Sequence, residues 1–429
     1  MAYKQNTMKV QILKRKLVKP CNPTPPNLKI YKLSFIDEIL PLMEVGVLLF
    51  YPSNPNSINL EQSLSKVLPS FYPLAGRFIL KDQIVDCSDQ GAELVEAEAP
   101  DTELTTLLTE RDHQNLDAFL PREKKQVELP TYPILSIQAT RLMCGGLVVG
   151  VSISHKIFDV SALSTFLLNW SNTIISKPET EAAVTFDGAT MFPSRSQSNA
   201  SSGAAIRFLD LERISVKRFS FTKEAIAALK QRCCFRADQR VSRVQAVCAL
   251  IAEALIALDG AKHGRSRGCL ITQAVNMRGR TDPPLSKTAC GNLVLLSLAR
   301  CSAGEIQQVA DLLGEAVSRS VAVCGGILGL GEDRRNETVL EPLRTAGRTF
   351  MSGEDNVLTF TDYSKFGFYG VDLGWGKPVW ASVAPHTVAN TVVVLGSRDG
   401  DGIEAWVHLE KKDMELFERD HEIATLCAI

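Results

Sequence analysis

Between residues 132 and 170 the spacing of apolar side chains changes period. Residues 132–139 and 146–154 alternate apolar and polar, as strands do when successive side chains point to opposite faces, and Cys144-Gly145-Gly146 offers a turn between them. Val160, Leu163, Phe166, Leu167 and Trp170 then fall at i, i+3, i+6, i+7 and i+10, one face of an amphipathic helix. Strands and helices that follow one another in this way bury their apolar faces against each other in layers, so the pattern points to an α/β architecture.

The same interleaving runs along the rest of the chain. Residues 60–68 carry helical spacing, and 83–86 and 91–97 read as short strands around the turn Ser88-Asp89-Gln90-Gly91. From 176 to 205 the pattern dissolves into Pro178, Pro193 and the polar run 194–203, which reads as an exposed crossover. We therefore expect a first domain over 1–175, a crossover loop over 176–215 and a second domain over 216–429. In the second half, 216–221 reads as a strand and 223–232 as a helix. Ser242 with Gln245 fits a capping box, in which the serine hydroxyl takes a free backbone N–H and the glutamine reaches back. Val244, Val247, Cys248, Ile251, Leu255 and Leu258 mark the buried face of the long helix that follows. Residues 293–298, 357–361 and 391–396 are strand-like.

Composition narrows the partners. The 429 residues suffice for two domains with substantial cores. A net charge of −1 gives no global basic field for nucleic acid, and no apolar run reaches the ~18 residues that span a bilayer. Residues 1–16 are basic without an apolar stretch, unlike a secretory signal. Eleven cysteines, an odd number, sit mostly inside apolar patterns, as Cys248 and Cys290 do. No C-x-x-C pair occurs, and adjacent Cys233-Cys234 reads as two reduced thiols on a helix. A reducing, cytoplasmic setting without a metal site is expected.

Two segments could carry chemistry. The strand through Leu147, Val149, Val151 and Ile153 puts His155 in register with its inner face, at the point where the chain enters a loop, a suitable place for a general base. Asp159 follows four residues later, where a turn of helix could return it toward the ring. Alone, H-x-x-x-D is common and reads more readily as a core histidine satisfied by hydrogen bonds. The second segment is Asp372-Leu373-Gly374-Trp375-Gly376-Lys377-Pro378, whose glycines permit a tight turn, and alone it reads as structural. His113, His263, His386, His408 and His421 lack ligand spacing.

Together, one in each half, the two segments resemble the signatures of the plant BAHD acyltransferases, H-x-x-x-D at mid-chain and D-F-G-W-G near the C-terminus. The likeness spans nearly the whole length. Tyr72-Pro73-Leu74-Ala75-Gly76-Arg77 matches the family's Y-P-x-A-G-R. Asn276-Met277-Arg278-Gly279-Arg280 before Pro283-Pro284-Leu285 matches its N-x-R-x-R-x-x-P-P-L, and Gly291-Asn292 its G-N. Leu49-Phe50-Tyr51-Pro52 and Gln273-Ala274-Val275-Asn276 look closest to the branch that acetylates alkaloids and terpenoids.

The resemblance implies a fold of two similar chloramphenicol-acetyltransferase-like domains, each a mixed sheet with helices, with an active-site channel at their interface. It implies that His155 takes the proton from an acceptor hydroxyl as that oxygen attacks an acyl-CoA thioester directly. The sequence agrees, offering neither a G-x-S-x-G elbow nor a cysteine beside the histidine. Asp159 would turn away from His155 and pair with Arg278, shaping the site. Asp372, Gly374, Trp375 and Gly376 would be structural, although Leu373 stands where the family has phenylalanine. Thr361, Tyr363 and Asn292 are expected at the substrate pocket, with Tyr363 in the place of a tryptophan. Ser242 and Arg243, opening the long helix, match the family's coenzyme A-binding position, whereas Ile251-Ala252-Glu253 departs from the bulky, basic residues usual there. The expectation is thus a monomeric O-acetyltransferase with no permanently bound cofactor. Acetyl-CoA would be its co-substrate and a small hydroxylated plant metabolite, an alkaloid first, its acceptor; the alternatives are a triterpenoid or other terpenoid acceptor, a larger acyl donor and, outside this class, a non-catalytic metabolite-binding paralogue.

Overall fold

The segment 147–154 carries Leu147, Val149, Val151 and Ile153 on one face and Val148, Gly150, Ser152 and Ser154 on the other, and all eight residues are buried, the mark of a strand covered on both sides. It is the eighth of fifteen strands among the described residues: β1 Gln11–Val18, β2 Ile30–Lys32, β3 Glu44–Tyr51, β4 Arg77–Ile79, β5 Ile84–Asp86, β6 Ala92–Ala99, β7 Leu135–Leu142, β8 Leu147–Ser154, β9 Ile214–Phe221, β10 Cys269–Asn276, β11 Val294–Cys301, β12 Asn356–Asp362, β13 Trp380–Val383, β14 Thr391–Gly396 and β15 Ile403–Glu410. Eleven helices accompany them: α1 Phe35–Ile39, α2 Leu60–Val67, α3 Leu104–Thr109, α4 Val160–Ile174, α5 Gly188–Met191, α6 Lys223–Arg232, α7 Arg243–His263, α8 Ile306–Ile327, α9 Glu332–Ser352, α10 Lys411–Phe417 and α11 His421–Leu426. The computed structural model describes residues 8–53, 59–109, 113–121, 131–177, 183–194, 213–234, 240–302, 304–384 and 388–427.

The chain forms two compact units. The first comprises Met1–Ser198, Thr288–Asn292 and Phe366–Pro385, and the second comprises Asn199–Lys287, Leu293–Lys365 and His386–Ile429. Each carries a six-stranded mixed sheet, β1-β6-β7-β8-β3-β13 in the first and β11-β10-β12-β14-β15-β9 in the second. In the first sheet β6 and β7 are parallel and the other neighbours antiparallel. In the second, β12 runs parallel to β10 and β14. β2, β5 and β4 make a small third sheet. The two short strands read around Ser88–Gly91 thus enter different sheets.

In the first unit β8 lies between β7 and β3, and the register Glu44↔Ser154 to Tyr51↔Leu147 runs the full length of both partners. Gly150 in mid-strand is required by a close approach. A β-carbon there would lie 2.1 Å from the main-chain oxygen of Phe119. The helical face read from the sequence is buried as expected. Phe166 stacks on Trp170 at 6.0 Å and meets Phe71 edge-on at 5.3 Å, while the Trp170 indole N–H donates to Ser63 Oγ at 2.9 Å. Each such side chain contributes roughly 1.5–3 kcal/mol by leaving water.

In the second unit α7 packs Val247, Cys248, Ile251 and Leu255 with Ala310 and Leu313 of α8 and with Ile271, Leu358 and Val392 of the sheet. By length and composition α7 could cross a membrane. Its side chains from Ala246 to Ala252 are all buried in this core, so it reads as the core helix of a unit.

One difference from the linear reading concerns the D-x-G-W-G segment. Assigned by sequence to the second domain, it belongs to the first unit, because β13 just beyond it pairs with β3 from Trp380↔Phe50 to Val383↔Val47. Thr288–Asn292 also belongs there, held by Thr288 Oγ1 donating to Ala183 O and by Cys290 N–H donating to Thr185 O at 2.7 Å. The expected crossover, 176–215, falls largely on 178–182 and 195–212, outside the described residues.

Candidate active site

β8 ends at Ser154, and the next residue is His155. Its main-chain N–H donates to Met43 O at 2.8 Å, which fixes the start of the loop. The next side chain, Lys156, is buried and turns its ammonium onto Glu38 O (2.8 Å) and Leu40 O (2.7 Å), the free carbonyls at the end of α1. Asp159 closes the loop as N-cap of α4, accepting from Ala162 N–H at 2.8 Å. The loop is therefore tied to α1 on one side and becomes α4 on the other.

The His155 ring is half-buried. Its Nδ1 lies 3.1 Å from Asn292 Oδ1. The Asn292 Nδ2 donates to the His155 main-chain oxygen at 2.8 Å and to Asp37 Oδ1 at 2.8 Å, and Asn292 N–H also faces Asp37 Oδ1 at 3.3 Å. Asp37 in turn forms a capping box with Ser34. Its Oδ2 accepts from Ser34 N–H at 2.8 Å, and its own N–H donates to Ser34 Oγ at 3.1 Å. Burial pushes the Asp37 carboxyl up to about 6, against the opposing hydrogen bonds from Ser34 and Asn292. Burial holds the His155 imidazole below its ordinary value, while the charge of Asp159, the carbonyls of His155 and Phe158, and Asn292 all pull the other way. Burial thus favours the unprotonated ring, the form able to accept a proton.

Asp159 points its carboxylate at the helix N-terminus. Its N–H reaches Gly291 O at 3.4 Å. Arg278 belongs to the second unit, where its N–H and its Nη1 both donate to Asn276 Oδ1, at 3.0 and 3.1 Å. The expected Asp159–Arg278 pairing stays an expectation from the resemblance. Asp372 makes a local turn, accepting with Oδ1 from Gly374 N–H (2.7 Å) and Gly376 N–H (3.0 Å). Both glycines have φ near +90° (+87° and +91°), where a side chain would be strained. Asp372 N–H donates to Ser171 Oγ at 2.9 Å, and Trp375 packs edge-on against Tyr51 at 5.7 Å. Among the described bonds this aspartate engages only its own turn and α4.

Asn292 takes a different place from the substrate wall expected of it. It is 1% exposed, and both ends of its amide are used inside the protein. In the second unit Thr361 lies half-buried on β12, and Tyr363 follows it, buried, with its N–H on Val394 O at 2.8 Å. Ser242 and Gln245 form the expected capping box at the start of α7. The Arg243 Nη1 donates to Asp401 O at 2.9 Å and to Gly400 O, tying the helix start to the β14–β15 turn. Ala252 is fully buried in the core, so its small side chain meets packed neighbours. Among the described residues no cluster of His, Cys, Asp or Glu could hold a metal ion.

Sequence reasoning missed Asp37 and Lys156. The available signal was Ser34-x-x-Asp37, a capping-box spacing inside the mostly apolar run 33–40. A carboxylate inside such a run needs partners that periodicity does not name.

The family model described as the Transferase family matches residues 8–424. A Salvia splendens relative, pelargonidin 3-O-(6-caffeoylglucoside) 5-O-(6-O-malonylglucoside) 4'''-malonyltransferase, is 42% identical, with 97% of this chain and 99% of the relative covered. Stemmadenine O-acetyltransferase of Catharanthus roseus is 33% identical, with 96% of each covered. The crystal structure of vinorine synthase superposes with a TM-score of 0.83 at 32% identity, covering 98% of each chain. Matched from end to end at these identities, the chain belongs to the Transferase family, the BAHD acyltransferases, and is an acyl-CoA-dependent acyltransferase.

Proposed function

We propose that the chain transfers an acyl group, acetyl in the leading reading, from coenzyme A to a hydroxyl of a small plant metabolite, an alkaloid or a terpenoid, with His155 as general base. The observation that carries this reading is the half-buried imidazole at the end of β8, held at Nδ1 by Asn292. In the proposed reaction the acceptor oxygen attacks the thioester carbonyl while its proton passes to the free ring nitrogen. The tetrahedral intermediate then collapses, the carbon–sulfur bond breaks, and the thiolate of coenzyme A takes the proton back from the imidazolium. No acyl-enzyme intervenes. Ser242 and Arg243 are proposed to serve coenzyme A, and Thr361 and Tyr363 the acceptor. A cytoplasmic setting is supported by all eleven cysteines being free thiols, and the chain is taken to act as a monomer.

A second reading, malonyl transfer to a glycosylated acceptor, is favoured by the 42% identity to the Salvia malonyltransferase. One experiment separates the two. Purified wild type and His155→Ala are each incubated with acetyl-CoA or malonyl-CoA and a panel of hydroxylated indole alkaloids, triterpenoids and glucosylated pelargonidins, and products are read by mass. The leading reading expects acetylation of one alkaloid or terpenoid class, reduced about 10²–10⁴-fold in the variant. Malonylation of a glucoside selects the second. No product from folded protein with any pair would place the donor or the acceptor outside both readings. Product undiminished in His155→Ala rules out the base.

A further inference from the structure

We infer that Asp37, acting through Asn292, is the positioning residue that fixes the tautomer of His155 and leaves Nε2 as the proton-accepting nitrogen. The inference rests on His155 being the base of the proposed reaction, and adds what makes one of its two nitrogens the active one.

An amide side chain can be reversed in place, and only its partners decide which end is which. Asn292 has no such freedom. Its Nδ2 lies 2.8 Å from two groups that can only accept, the Asp37 carboxylate and the main-chain oxygen of His155. Reversal would set the amide oxygen against both. Its Oδ1 is therefore the end that faces His155 Nδ1 at 3.1 Å. An amide oxygen accepts and does not donate, so Nδ1 must carry the hydrogen. Nε2 then keeps its lone pair and is the nitrogen that can take the proton of the acceptor hydroxyl.

The polarity of this chain of bonds starts at Asp37. The carboxylate is fully buried, and its second oxygen is held by Ser34 N–H. An amide at position 37 could keep its oxygen on Ser34 N–H and turn its NH2 toward Asn292. That NH2 would face the Nδ2 and the main-chain N–H of Asn292, leaving the main-chain oxygen of His155 alone to hold the amide in its orientation, so the reversed amide, with Nδ2 on His155 Nδ1 and the ring hydrogen on Nε2, gains population at the expense of base function. The rest of the frame is independent of that polarity, since Lys156 on Glu38 O and Leu40 O and His155 N–H on Met43 O hold the loop to the α1 segment either way.

The test reads the tautomer directly and needs no substrate. Full-length protein labelled with 15N-histidine is examined by long-range 1H–15N correlation at pH 7.5, and the His155 signals are assigned by their loss in His155→Gln. Wild type is expected to show Nδ1–H and a bare Nε2, the tautomer that imidazole in water disfavours. Asp37→Asn is expected to shift His155 toward Nε2–H and, on the acceptor found above, to lower kcat at least ~10-fold at little-changed KM, bounded by the ~10²–10⁴-fold worth of general-base catalysis. Ser34→Ala, which removes a helix cap and keeps the carboxylate, is expected to lower Tm and leave the tautomer alone. Asp37→Asn combined with Asn292→Asp moves the acceptor-only group next to His155 and is expected to return Nδ1–H, including where Asp37→Asn alone does not fold. An Nε2–H tautomer in wild type overturns the inference. So does a folded Asp37→Asn that keeps Nδ1–H and wild-type kcat, or a folded double variant that stays Nε2–H. Should no acceptor be found, the tautomer result still stands or falls alone.

Discussion

At the scale of single residues, the pH dependence of the reaction follows from how His155 is housed. Burial disfavours the imidazolium, and this outweighs the charge of Asp159 and the carbonyls of His155 and Phe158 that favour it. The base must be unprotonated to work, so kcat/KM is expected to rise with pH on the acid side, with a midpoint below 6.5, and to be level from about pH 7 upward. Asp37 reaches the ring through Asn292 and titrates at about 6, so the acid limb reports both groups together. A pH–rate profile with its midpoint at or above 6.5 would show that the ring is more solvated, or more strongly paired, than this structure has it. His155 was legible in the sequence because strand alternation set its face and its place at the strand end. Asn292 was legible as part of G-N, yet its role was not. A buried amide and a substrate-facing amide look alike in sequence, and here the difference is made by Asp37, some 255 positions away.

At the scale of elements, local rules served well. The helix read over 223–232 is α6 to the residue, and Ser242 with Gln245 does cap α7. The strand expected over 391–396 is β14. Such elements are specified by side chains within a few positions of one another, which a sequence displays. What a sequence does not display is what an element joins. The Asp372 turn is a case in point. Its carboxylate takes the N–H groups of Gly374 and Gly376, its own N–H rests on Ser171 of α4, and Tyr51 Oη donates to Val371 O at 3.0 Å. These bonds make the turn a fitting that leads the chain into β13. Asp372→Ala is accordingly expected to cost about 2 kcal/mol of stability, the loss of two bonds to a charged acceptor on a half-exposed turn. Protein folded at low temperature should keep kcat within about threefold of wild type. Thermal unfolding and single-temperature kinetics on the same preparation check this. A ~10²-fold fall in kcat at unchanged Tm would instead make Asp372 a participant in the chemistry.

At the scale of the whole molecule, the linear order of the chain and the membership of its units part company. A break in periodicity near residues 176–205 invites a cut there, yet the first unit draws back two later segments, Thr288–Asn292 and Phe366–Pro385. One brings Asn292 to His155. The other brings β13, which closes the β3 side of the first sheet along Val47–Phe50. A fragment of residues 1–198 would lack both. β3 would become an edge strand of bare N–H and C=O groups on an apolar sequence, an invitation to pair with other chains. Leu48, Leu49 and Phe50, buried in the intact chain, would lose part of their cover. The Asp37 carboxylate would lose Asn292 and remain buried with only Ser34 to satisfy it. The fragment is therefore expected to be insoluble, or to bind hydrophobic dye and unfold without a cooperative transition, whereas the full chain melts cooperatively. Supplying residues 288–292 and 366–385 on a linker would be expected to recover part of the folded signal. A fragment of 1–198 that stays monomeric and unfolds in one sharp step would mean that the first half carries a complete core of its own, and that the later segments serve the site without being needed for the fold.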